Sequence, residues 1–155
     1  MRTIIISFIL IMILQSCGFK IVEQTDLGNF NIVEIDTQGE KRINHMIKNK
    51  LLFVSQKIEK NKIKIKINTI KNKSIKEKNI KNEVTKYNLS ITSIVEYQDI
   101  NEQTKDTFTL SKSGNFAVEE RNTQTINSEK ELVKLLTERI SSQIIDQLIL
   151  RLDDY

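Results

Sequence analysis

The chain has no proline and no tryptophan, and only four glycines, one histidine and one cysteine among 155 residues. Each scarcity excludes something. Without proline there is no Pro-rich spacer to separate domains. A single cysteine cannot close an intrachain disulfide, and one histidine without a cysteine or acidic cluster at ligand spacing is a poor metal site. His45 therefore reads as a surface or boundary histidine. The dispersed glycines build no phosphate-cradling loop. No Ser-His-Asp or Cys-His arrangement can be assembled. The paired acids Glu119-Glu120 and Asp153-Asp154 fall at element ends and read as solvated charges. The expectation is a non-enzymatic protein with no catalytic residues, no metal and no cofactor.

What is present begins at the N-terminus. Met1-Arg2-Thr3 carries one positive charge, and Ile4 to Leu14 is aliphatic apart from Ser7. This has the layout of a secretory signal and falls short of the ~20 apolar residues that span a bilayer. It ends in Leu14-Gln15-Ser16-Cys17, which resembles the bacterial lipobox. In such sequences the cysteine thiol receives a diacylglyceryl group and the signal is cut just before it. A thiolate is the side chain suited to forming that thioether, and several acyl chains anchor a protein stably. Residues 1–16 are expected to be the signal, Cys17 the lipid-attachment site and residues 17–155 one tethered domain. Gly18 rather than Asp follows the cysteine. By resemblance to Gram-negative sorting rules, that favours the outer membrane, on its periplasmic side.

The formal net charge is +4. Export argues against nucleic acid as the partner and leaves anionic lipid or saccharide. Ile, Lys and Asn dominate, as AT-rich coding would produce, so a single lysine carries little weight.

Apolar periodicity divides the chain into elements. Asn29 to Asp36 alternates as a short strand. Glu40 to Lys60 places Ile43, Met46, Ile47, Leu51, Val54 and Ile58 on one helical stripe. From Lys62, isoleucines 63, 65 and 67 alternate with lysines, a strand with two unlike faces. A loop or irregular extension is expected over 72–82. Val84 to Gln98 and Asp106 to Glu119 read as long strands, the latter with a bulge at Ser113-Gly114. Ser128 and Glu131 form a capping box ahead of a helix running to about Leu152. The order is β-α-β-β-β-α, an α+β fold: an antiparallel four-stranded sheet with two helices packed on one face.

Cys17-Gly18-Phe19, the stretch Lys86-Tyr87-Asn88-Leu89-Ser90-Ile91-Thr92, the segments Glu131 to Arg139 and Gln147 to Leu152, and the element order together resemble the LPS-assembly lipoprotein LptE family. The resemblance implies a lipoprotein seated in the lumen of the LptD β-barrel, supporting that barrel's assembly and the insertion of LPS into the outer leaflet. It implies LptD-like barrel and LPS partners, no catalytic motif, and no nucleic acid. The alternative is a lipid-anchored accessory subunit of another envelope machine, for barrel assembly or transport. The lysine run Lys71, Lys73, Lys76, Lys78 and Lys81 is the one candidate binding feature, because ammonium groups attract phosphate. Lys76, Lys78 and Lys81 are the candidate LPS-binding residues. The strand lysines Lys62, Lys64 and Lys66 read equally well as protection against edge aggregation.

Overall fold

The computed structural model describes residues 30–57 and 61–153. The signal segment and Cys17 lie outside the described residues. The elements are β1 (Asn31–Gly39), α1 (Lys41–Val54), β2 (Lys62–Lys78), β3 (Val84–Asp99), β4 (Lys105–Ala117) and α2 (Asn122–Asp153). The order is the expected β-α-β-β-β-α, in one sheet arranged β1-β2-β3-β4.

Pairings β2–β3 and β3–β4 are antiparallel. β1 pairs parallel with β2, which corrects the wholly antiparallel expectation. The reason is α1, which returns the chain to the end of the sheet where β1 began, so β2 runs the same way. Gly39 makes the turn into that helix. Its φ is +90°, and a Cβ there would stand 2.0 Å from the Thr69 carbonyl oxygen. Glu40 N–H then donates to that same oxygen, 3.1 Å away.

The alternation in β2 is realised as read. Ile63, Ile65 and Ile67 are buried, whereas Lys64 and Lys66 are exposed. The isoleucines join Leu89, Ile91, Val95 and Phe108 under the helical stripes Ile43/Ile47/Leu51 and Leu136/Ile140/Ile144/Leu148 in one core. Burying a side chain of this size contributes about 1.5–3 kcal/mol, so this layer holds the sheet to the helices.

Three local expectations change. α1 ends at Val54 rather than Lys60. Beyond it the Ser55 hydroxyl accepts the Ile32 N–H at 2.9 Å, and Gln56 N–H donates to the Phe30 carbonyl. Of the two readings for 72–82, residues 72–78 take the irregular strand extension: they continue β2 against β3, with register shifts at Ile75/Glu77 and Glu77/Lys78. No bulge occurs at Gly114, since the β3–β4 register runs unbroken from Gln98/Lys105 to Lys86/Ala117. The glycine instead admits α2: a Cβ on it would stand 2.7 Å from Leu132 Cδ1. α2 starts six residues before Ser128, so that serine is not a cap. Thr125, in the first turn of α2, ties the preceding chain to the helix: its hydroxyl accepts the Glu119 N–H at 2.8 Å.

Candidate functional site

The lysine run separates into two groups, because strand side chains alternate between faces. Lys71 and Lys73 share the inward parity of Ile67 and Thr69 and lie on the helix side of the sheet. There Lys73 Nζ donates to Glu129 of α2 at 2.7 Å, and Lys71 Nζ stands 3.6 Å from the same carboxylate. Lys73 Nζ also sits 4.4 Å from the Tyr87 ring centroid and 5.0 Å from that of Phe116. The two rings stack at 5.6 Å. This pair of lysines is committed to joining sheet and helix. The lysine hydrogen bond holds the Glu129 carboxyl below its ordinary range.

Lys76, Lys78 and Lys81 form the second group, all exposed near the β2–β3 hairpin tip. Asn79 organises that tip. Its side-chain oxygen accepts the N–H groups of Lys81 (2.9 Å) and Glu83 (3.0 Å), and its amide donates to the Glu83 carboxylate (2.7 Å). Asn82 takes the left-handed conformation, φ 63°, which Asn tolerates. Lys78 Nζ donates to the Asn82 side chain at 2.9 Å. Just behind, Glu77 is paired with Lys86 at 2.9 Å. Ile75 and Ile80 are exposed beside these cations. The tip is thus an ordered hairpin end presenting ammonium groups and aliphatic side chains together, able to meet a molecule that is both anionic and acylated.

The sheet face opposite the helices forms a second surface. Thr92 and Ser111 hydroxyls share a hydrogen bond at 3.0 Å, and Asn88 donates to Asn115 at 2.9 Å. Ser90, Thr109 and Ser113 have the same strand parity. On β3 and β4 the face carries mainly small hydroxyl and amide side chains, with Ile94 and, from β2, the aliphatic Ile70 (53% exposed) among them and Lys66 opposite Glu96 towards one end. Towards β1 it becomes charged, where Lys64 bonds Glu34 at 2.8 Å and lowers that carboxyl's pKa.

A cleft of about 450 Å³ lies between the start of α1 and the first half of α2. Ile43, Met46 and Val133 give it apolar walls, and its rim carries charges of both signs, Arg42, Lys71 and Lys134 with Glu40, Glu129 and Glu131. Sequence reasoning missed it because its residues come from three elements. Its one legible signal was Met46 in the apolar stripe of α1. His45 is exposed and bonded to Asn49 at 3.1 Å. Among the described residues no cluster of His, Cys, Asp or Glu is placed to hold a metal ion.

No family model matches the chain, and no curated protein matches it. Solved structures share its fold. Uncharacterized lipoprotein B from Nitrosomonas europaea, a solution NMR structure, superposes with a TM-score of 0.59 at 18% identity, covering 85% of this chain and 90% of its own. A minor lipoprotein from Acinetobacter baumannii superposes at 0.55 and 13% identity, covering 79% of this chain and 94% of its own. At these identities the likeness is one of fold.

Proposed function

We propose that the chain is an LptE-like, lipid-anchored envelope protein that seats against the polar lumen of an LptD-like outer-membrane β-barrel. In this reading it supports the barrel's assembly and the passage of LPS to the outer leaflet. The observation that carries the reading is the sheet face opposite the helices. A barrel lumen is polar, and the Ser, Thr and Asn side chains of β3 and β4 offer hydrogen bonds to it, beside Ile70 and Ile94 and the opposed Lys66 and Glu96. The Leu14-Gln15-Ser16-Cys17 sequence supports the anchor. The solved proteins of like fold are themselves described as lipoproteins, which agrees with an envelope location.

LPS is met, in this reading, by the hairpin tip. Lys76, Lys78 and Lys81 take its phosphates, and Ile75 and Ile80 touch its acyl chains. The role is binding and support, without bond making. Replacing the three lysines by serine tests the ligand half. LPS binding to the full chain should fall and lose its salt dependence, because exposed charges are screened over ~8 Å at physiological ionic strength. Unchanged LPS affinity in that variant would remove the tip from the account.

A further inference from the structure

The two edges of the sheet are unlike. β1 is nine residues long, shifts register between Ile32 and Glu34, and carries Glu34 and Asp36. Bulges and charges of this kind block further strand pairing. β4 is thirteen residues long, keeps perfect register with β3 and, among the described residues, has no neighbour on its other side. The Val118 N–H donates to the Thr85 carbonyl, so even-numbered residues of β4 point their backbone groups at β3. The odd-numbered residues, from Lys105 to Ala117, point theirs outwards. Of their N–H groups, that of Thr107 has a local acceptor, the Asp106 carboxylate at 2.7 Å.

We propose that this edge is a two-fold interface at which β4 pairs antiparallel with β4 of a second copy of the chain, centred on Thr109. Two independent features select that centre. Along the strand, a dyad at Thr109 sets Lys112 opposite Asp106 of the second copy and Leu110 opposite its Phe108. Opposite charges and apolar pairs placed directly across a ladder are stabilising. Thr107 meets Ser111 there, so every outward-pointing residue faces another outward-pointing one.

The second feature is on α2. Leu135, Arg139, Ser142, Asp146 and Leu150 recur at spacings of three and four along one flank. A shallow depression lined by Lys112 from β4 and by Leu135, Arg139 and Ser142 from α2, and by no residue of β3, puts this flank over the free edge. Leu135 and Leu150 are 43% and 57% exposed. In two antiparallel copies of α2, Leu135 covers Leu150 of the other copy and Arg139 meets its Asp146, when the dyad passes between Ser142 and Gln143.

That level on α2 coincides with Thr109. Gly114 lies against Leu132 at one end of the crossing, and Asp106 is bonded to Arg151 at the other. With rises of about 3.3 Å per strand residue and 1.5 Å per helix residue, Thr109 falls beside the turn of α2 that holds Gln143. Strand and helix therefore select the same axis. The result is a continuous eight-stranded sheet with the two α2 helices side by side. This interface is made by the backbone edge of β4, with the Thr107, Thr109 and Ser111 side chains on the open face beside it, and it is argued without the barrel reading.

The test is register-specific cross-linking of the full chain in detergent under mild oxidation. Thr109→Cys alone should give a disulfide-linked dimer, since the two Cα atoms would lie within the ~4.4–6.8 Å that a disulfide needs. Ser111→Cys alone should remain monomeric on a non-reducing gel, but should cross-link when mixed with Thr107→Cys. The wild-type chain, treated identically, supplies the background from position 17. Sedimentation of the uncross-linked wild type should show a monomer–dimer equilibrium, and Arg139→Asp should shift it at least tenfold towards monomer. A wild type that is monomeric at all concentrations overturns the proposal. Cross-linking through Ser111→Cys alone overturns it as well.

Discussion

Lys73 of β2 and Glu129 of α2 are bonded at 2.7 Å across the sheet–helix interface, and the same ammonium lies over the Tyr87 and Phe116 rings. One residue thus fastens the first turns of a long helix to the far end of a four-stranded sheet. Ion pairs of this partial exposure contribute about 0.2–1 kcal/mol, and the cation–π contact about 0.5–1 kcal/mol. Lys73→Ala should lower stability by roughly 1 kcal/mol by these magnitudes. Lys76→Ala, at an exposed position, should change it within the ~0.5 kcal/mol typical of surface substitutions. Chemical denaturation of the two variants checks this.

The same pair sets an acid dependence. Glu129 is held below the ordinary carboxylate value of 4.5 by the Lys73 hydrogen bond. Its folded pKa is depressed, so its contribution to stability is present above the unfolded value and lost as pH falls through the folded one. Glu129→Gln should therefore flatten the loss of stability below about pH 4.5 while lowering stability at neutral pH. Melting temperatures measured from pH 7 to pH 3 would show parallel curves for the two proteins if the pair contributed nothing.

Strand polarity in β2 gives a sharper contrast. Ile65 is 2% exposed, and Ile65→Asp would place a carboxylate in the core. That change should cost about 4 kcal/mol or more, from lost packing together with an unsatisfied polar group. Lys64→Asp replaces a solvated partner of Glu34 and should cost about 1 kcal/mol or less. Equal thermal shifts for the two variants would contradict the burial pattern.

The alternation of β2 and β3 and the stripe of α1 were legible because one buried face imposes a strict period on each. β1's direction was not legible, since a short strand carries no mark of whether its partner runs parallel. The α2 start was obscured by Ser128 and Glu131, which mimic a cap, whereas Glu129 needs the helix already formed to reach Lys71 and Lys73. The sorting of the lysines followed from the same cause. A run of Lys and Asn hides the strand beneath it, and only pairing with β3 shows that Lys71 and Lys73 turn inwards while Lys76, Lys78 and Lys81 remain at the tip.

The anchor is tested by mass spectrometry of the mature N-terminus. Cys17 should carry acyl groups, and Cys17→Ala should accumulate as an uncleaved chain. A free thiol at position 17 in the mature protein would remove the membrane tether.

Partnership with a barrel is the core of the proposed function. Affinity purification of the tagged, lipid-bearing full chain from detergent-solubilised outer membranes measures it most directly. The expected result is a one-to-one complex with an LptD-like β-barrel that survives high salt, because the contact is made mainly by the Ser, Thr and Asn side chains of β3 and β4, and that is lost when Thr92 and Ser111 are both replaced by aspartate. A chain that is recovered without any barrel, or with a different envelope assembly at fixed stoichiometry, would contradict it.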